Sequence, residues 1–361
     1  MERATILVLV AVAIGVCPAF VLASNRADIN DDGLVDMLDL ALLCENWLWR
    51  APPDPCEFAF IPGGTFEMGD SFGEGQSNEL PVHTVTVDSF YMSKHEMTNQ
   101  QYCDFLNSAQ SQGLITVTSG VVYQAGSGTN HPYCATSTAD SDSQIVYSGS
   151  SFSVRTKGGR SMVNDPMVEV SWYGAAAYCN WRSQQLGGQA CYDSSTLLPV
   201  YPLPHGVRLP TEAEWERAAR GGLSGQRFSW GDTINHSHAN YCANSSAYSY
   251  DTSPYTTYTY HPTWDDIYPY TSPAGSFPAG GYGLYDMAGN VWEWCNDWYS
   301  SSYYSSSPSD NPTGPASGSR RVLRGGGWRH YAYHCCAASR SHDTPDNRYF
   351  HIGFRVVLSL E

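Results

Sequence analysis

Two short stretches of this chain carry side chains whose types and spacing suit chemistry. Near the N terminus, Asp28, Asn30 and Asp32 alternate ahead of Gly33, and Asp39 stands at the twelfth position of the same stretch. Calcium takes several oxygen ligands from a loop that turns sharply; here carboxylates and an amide fall at positions one, three and five, the Leu34 carbonyl at seven and a closing acid at twelve. Towards the other end, His330, His334, Cys335 and Cys336 lie within seven residues. Three readings of them stand. His330 and Cys335 form a mixed nitrogen and sulfur site for copper or zinc; Cys335 and Cys336 are core or disulfide cysteines beside a loop histidine; or Cys335 is a single reactive thiol.

The elements that must position these groups begin after a leader. Arg3, an apolar run from Ile6 to Leu22 and the small pair Ala23-Ser24 have the order of an export signal, which places cleavage after Ala23 and assigns residues 1–23 to a signal peptide. The run is short and broken by Pro18, so no membrane span is expected in the mature chain, which is read as secreted, periplasmic or at the cell surface. The net charge of −16 excludes a nucleic-acid partner, which needs clustered Lys and Arg, and suits bound cations. Ten of the 11 cysteines follow the leader, where export permits disulfides.

Residues 24–50 form a small loop-and-helix module, the helix marked by Leu40, Leu43 and Trp47. A proline-rich linker occupies 51–57, flanked by Cys44 and Cys56, which a bridge could join, and residues 58–361 form the main domain. Its start, Phe58 to Met68, reads as a strand pair turning at Gly63-Gly64, and Val82 to Val87 alternates in period two. Helices are predicted from Thr98, with Gln101 completing a capping box, from Tyr173 to Gln185, and from Glu212 to Arg220, capped by Thr211 and Glu214 and stopped by Gly221-Gly222. Gly113 to Gly159 and Ser245 to Tyr260 read as surface excursions. Tyrosines in Tyr255–Tyr260 and Tyr299–Tyr304 are suited to stacking on sugars or peptides.

Several segments, in unbroken order, resemble the formylglycine-generating enzyme family, also called sulfatase-modifying factors: Ile61 to Gly69, Val170 to Trp181, Arg208 to Glu216, Gly281 to Trp294, Arg321 to Gly326 and Gly353 to Arg355. The N-terminal module resembles one repeat of a dockerin, a full dockerin having two, and its partner is open. The family resemblance implies an α+β, C-type-lectin-like domain, low in regular secondary structure and stabilised by calcium. The implied activity is oxidation of a sulfatase cysteine to formylglycine, with two enzyme thiolates holding copper.

The resemblance places the first catalytic cysteine at His330 and the second at Cys335, with Gly327 where a serine is usual. It also implies two calcium sites, one from Asn240, the Tyr241 carbonyl, Asp266 and the Tyr268 carbonyl, the other from Asp286, the carbonyls of Gly289 and Val291, and Glu293. The usual disulfide partner of Cys179 is Val356, which leaves Cys191 as a replacement. One thiolate cannot reproduce a two-thiolate copper site. The expectation is therefore a calcium-stabilised binding or scaffold domain for a peptide, sulfatase or polysaccharide, the alternative being a copper-dependent formylglycine-generating oxidoreductase.

Overall fold

A computed structural model describes residues 54–359. The leader, the Asp28–Asp39 loop and Cys44 lie outside the described residues. Among the described residues three α-helices stand among short strands: α1 (Asn99–Ser111), α2 (Trp172–Gln185) and α3 (Glu212–Ala219). Each starts where a hydroxyl can satisfy its first amides. The Thr98 and Thr211 hydroxyls accept from the amides of Gln101 and Glu214, whose side chains reach back to the cap amide, and Ser171 accepts from the Gly174 amide. Such a cap contributes about 1 kcal/mol. Around Glu214 the start is braced further, because Arg208 grips both its carboxylate oxygens at 2.6 and 2.7 Å.

Two four-stranded sheets frame the core. In the first, antiparallel strands run in the order Phe58–Ile61, Phe90–Ser93, Val357–Ser359, Val207–Arg208. In the second, Ser341–Asp343, Arg321–Arg324 and Trp292–Trp298 are antiparallel neighbours, and Ile352–Gly353 pairs parallel to Trp292–Trp298. The parallel pairing sets Trp292 opposite Ile352 and Glu293 opposite Gly353. Aromatic side chains fill the space between helices and sheets: Tyr102, Phe105, Trp172, Tyr178, Trp294 and Phe354 are all buried in one cluster. The indoles of Trp172 and Trp294 donate to the carbonyls of Cys295 and Val170.

Two expectations are corrected. Gly63 and Gly64 do not turn a hairpin: Phe58–Ile61 pairs with Phe90–Ser93, whereas Gly64–Met68 pairs with His83–Val87, so the glycines carry the chain from one sheet to another. A Cβ on Gly63 would lie 2.7 Å from the Ser89 amide nitrogen, which explains the residue better than a turn does. Nor is 113–159 a bare excursion. It holds a three-stranded sheet of Ile115–Thr118, Val121–Gln124 and Pro132–Ala135 and a hairpin of Ile145–Tyr147 with Phe152–Val154. Thr116, Thr118, Tyr123, Tyr133 and Tyr147 stand in these strands, where β-branched and aromatic side chains suit a half-buried pleated surface.

Candidate functional site

The glycine run after the Arg321–Arg324 strand builds the site. Gly325 and Gly326 have φ of 95° and 76°, in the left-handed region. A Cβ on Gly326 would stand 2.8 Å from the His334 carbonyl oxygen, so only glycine lets residues 327–336 fold back over the strand end. The Trp328 amide then donates to the Asn290 carbonyl, the His330 amide to the Gly327 carbonyl, and the Cys242 amide to the His330 carbonyl. This pins the loop against Trp292.

Three imidazoles meet there. The ring centre of His330 lies 5.2 Å from that of His334 and 5.3 Å from that of His351, and both His330 and His334 stand edge-on to Trp292 at 5.5 Å. His351 arrives because the Trp292 amide donates to its carbonyl in the parallel pairing. Burial pushes the imidazole of His334 down to about 4 and that of His351 down to about 3, the latter helped by nearby Arg329. His330 is driven down further by burial and then by His351, His334 and Arg329. All three are neutral near pH 7. Their Nδ1 atoms are buried without hydrogen-bond partners.

Cys335 sits in different surroundings. It is 1% exposed, packed with Phe228, Tyr241, Ala243 and Ala332, and burial, followed by the neighbouring Cys336, pushes its thiol well up. Cys336 is half-buried with Sγ 4.0 Å from the Tyr250 hydroxyl, and burial holds its thiol up at about 12. A buried, protonated thiol is a poor nucleophile and a poor metal ligand. His330 has His334 and His351 as ring neighbours, and at its position an imidazole stands where the resemblance places one of the two thiolates that would hold copper. All nine described cysteines are free thiols, Cys179 and Cys191 among them.

An aromatic face adjoins the histidines. Buried Trp328 is surrounded by Tyr260, Tyr268, Tyr270 and Phe350 at 5.1–5.8 Å. Tyr258 donates to the Arg329 carbonyl, and the Arg329 guanidinium lies over the Phe350 ring at 5.1 Å. Tyr258, Tyr268 and Tyr349 are 44%, 38% and 40% exposed, so this face meets solvent. By contrast Tyr304, in the other tyrosine loop, is buried under the Arg340 guanidinium at 4.1 Å and belongs to the core.

The expected calcium ligands are distributed unevenly. Of the first set, Asn240 is buried with its Oδ1 unpartnered, the Tyr241 carbonyl faces His236 Nε2 at 3.0 Å, the Tyr268 carbonyl accepts from Lys157 Nζ at 2.8 Å, and Asp266 is exposed. An orphaned amide oxygen fits a hard cation, but Lys157 already supplies a positive charge at Tyr268. Of the second set, Asp286 accepts from the Gly275 amide, and burial holds its carboxyl up at about 6. A Cβ on Gly289 would sit 2.4 Å from the Asn240 carbonyl, bringing the two strings together; Val291 is fully buried. Glu293, also fully buried, gives both oxygens to Arg355 at 2.7 Å and one to the Trp215 indole. Glu96, which sequence reasoning missed, joins them: it accepts from the Asn290 amide side chain at 2.7 Å, and burial, then Asp286 and Glu293, raise its carboxyl far above the usual range. Three carboxylates share one guanidinium there. Asp286 and Glu96 fit a bound cation, whereas Glu293 is already neutralised.

A profile of the sulfatase-modifying factor enzyme 1-like domain matches residues 50–360. Over 320 residues the chain is 35% identical to a formylglycine-generating enzyme of Streptomyces coelicolor, covering 82% of this chain and 87% of that one. It is 29% identical to an inactive Cα-formylglycine-generating enzyme 2 of Bos taurus, over 88% of this chain and 93% of the other. Among solved structures, Treponema denticola variable protein 1 superposes with a TM-score of 0.54 at 26% identity over 83% of this chain and 94% of its own. PvdO from Pseudomonas aeruginosa does so at 0.54 and 23%, over 84% and 94%. The α+β, C-type-lectin-like fold expected from the sequence is the one these neighbours share.

Proposed function

Because the chain belongs to the sulfatase-modifying factor family, we propose that it uses the family scaffold as an exported, calcium-stabilised binding domain and lacks full formylglycine-generating oxidase activity. The observation that carries this is the fate of the two catalytic positions: an imidazole occupies one, at His330, and the thiol at the other, Cys335, is buried and protonated. Soft thiolates are what Cu(I) needs, and none faces solvent beside His330. The exposed tyrosines around Trp328 supply the surface for a ligand, a peptide, a sulfatase segment or a polysaccharide, because aromatic faces grip such groups by stacking. In this reading the residues 28–39 loop binds calcium, and the module around it joins the domain to a partner outside the cell.

Incubation of the full chain with Cu(I), oxygen and a Cys-x-Pro-x-Arg peptide should give no mass loss from thiol to aldehyde above buffer; turnover would overturn the proposal. Identity to active relatives favours the alternative, an oxidase with a rearranged site, and the same assay decides between them. A glycan and peptide array that stayed blank with calcium present would remove the binding role.

A further inference from the structure

We propose that the tyrosine face beside Trp328 takes an acidic polysaccharide, its sugar rings stacked on Tyr258 and Tyr268 and a uronate carboxylate held by Arg329. This rests on the binding role above and names the ligand class for it.

Charge supports it first. Arg329 is exposed, and its guanidinium lies over the Phe350 ring at 5.1 Å. Such stacking occupies the face of the guanidinium and leaves the N–H donors along its edge, the side that meets both oxygens of a carboxylate. Among the described residues no carboxylate pairs with it. The nearby cation Lys157 is already committed: its Nζ donates to the carbonyls of Ser141 and Tyr268, and Asp140 and Asp142 stand near it. In a chain of net charge −16, a positive group left open on a ring-lined surface favours an anionic partner.

Position supports it next. The Tyr258 hydroxyl donates to the Arg329 carbonyl at 2.8 Å, and Tyr268 packs on the same Phe350 ring at 5.3 Å. Each exposed tyrosine is thus tied to Arg329, one at its backbone and one through the ring under its guanidinium. A uronate carries an apolar C–H face and a carboxylate on one ring, so it offers both contacts together. Trp328 adds a donor, because its indole nitrogen is buried among these rings with no partner within the chain, and a sugar hydroxyl would accept from it.

The same face suits a peptide less. An extended peptide gains affinity from a backbone ladder, and the backbone groups here are already used. The Trp328 amide donates to the Asn290 carbonyl and the His330 amide to that of Gly327, the His330 carbonyl accepts from the Cys242 amide, and the carbonyls of Tyr268 and Arg329 accept from Lys157 and Tyr258. What remains is ring faces, hydroxyls and the guanidinium.

The test is isothermal titration of the full chain, in calcium, with a short oligogalacturonate, with the same oligosaccharide fully methyl-esterified, and with polyglutamate. Oligogalacturonate should bind about tenfold more tightly than its neutral ester, and added salt should erode that preference. Arg329→Gln should remove the preference and leave the weaker neutral binding, Arg329→Lys should restore part of it, and Tyr268→Ala should weaken both sugars about tenfold. Both side chains are exposed, so these substitutions should leave folding intact. Equal binding of acid and ester, polyglutamate bound as tightly as oligogalacturonate, or sugar binding untouched by Arg329→Gln and Tyr268→Ala would each overturn the proposal and leave the binding role standing. Neither sugar bound while a peptide array shows ligands would do the same, and blank arrays together with blank titrations would remove both.

Discussion

The surroundings of Arg355 and the loop around His330 solve opposite problems with buried polar groups. At Arg355 the charges find partners: the guanidinium is chelated by Glu293 and also donates to the carbonyls of Ser93, Lys94 and Tyr285. Around His330 three rings are brought together with their Nδ1 atoms unpartnered within the chain. The first arrangement ties the C-terminal strands to the Trp292–Trp298 strand and serves the fold. The second leaves three buried ring nitrogens with no partner inside the chain.

Breaking the first region should have the largest effect. Arg355→Ala strands Glu293 uncompensated in the core and should lower stability by about 3–5 kcal/mol, read from urea midpoints; a loss under about 1 kcal/mol would mean that water or a cation already serves Glu293.

Acid should strike the two kinds of buried group in opposite senses. The imidazoles of His334 and His351 lie at about 4 and 3 when folded, below the usual value of about 6.5. Between those values the unfolded chain takes up protons that the folded chain refuses, so stability falls as pH drops through that window. Glu169, held up at about 8 by burial and by Asp140 and Asp142, works the other way. Its folded form keeps a proton that the unfolded form has lost, so its contribution is lost as pH rises from about 4.5 through 8. The double variant His334→Asn, His351→Asn should flatten the acid limb of melting temperature against pH and leave the alkaline limb in place. Glu169→Gln should do the reverse, and an unchanged acid limb in the double variant would show that these rings are not desolvated.

Thiol labelling of the native chain sharpens the contrast without altering it. Exposed Cys56 should react first, half-buried Cys336 slowly, and Cys335 only on unfolding. Rapid native labelling of Cys335, followed by mass spectrometry of the peptides, would return it to the list of reactive groups. Smallest of all, Thr98→Ala and Thr211→Ala should each cost about 1 kcal/mol in urea unfolding.

Helix starts were legible because their information is local: Thr98 with Gln101 and Thr211 with Glu214 are three residues apart, and both boxes form. The order of quoted segments likewise led to the right fold. What was not legible depends on distant pairing. Nothing near Phe58 says that its partner is Ser93 rather than the strand beyond Gly64. The same holds for the site. His330 was visible as a departure, but His351 reaches it only through the parallel pairing of Ile352 with Trp292, and Glu96 meets Asp286 and Glu293 from almost two hundred residues away. At 113–159 the surface-excursion reading failed because Thr116, Tyr123, Tyr133 and Tyr147 stand in strands whose partners lie along the same stretch.

The strand Val357–Ser359 lies inside its sheet, between Phe90–Ser93 and Val207–Arg208. Phe90–Ser93 and Val207–Arg208 therefore meet only through a strand made well after both, so the first sheet closes only once that strand has been synthesised.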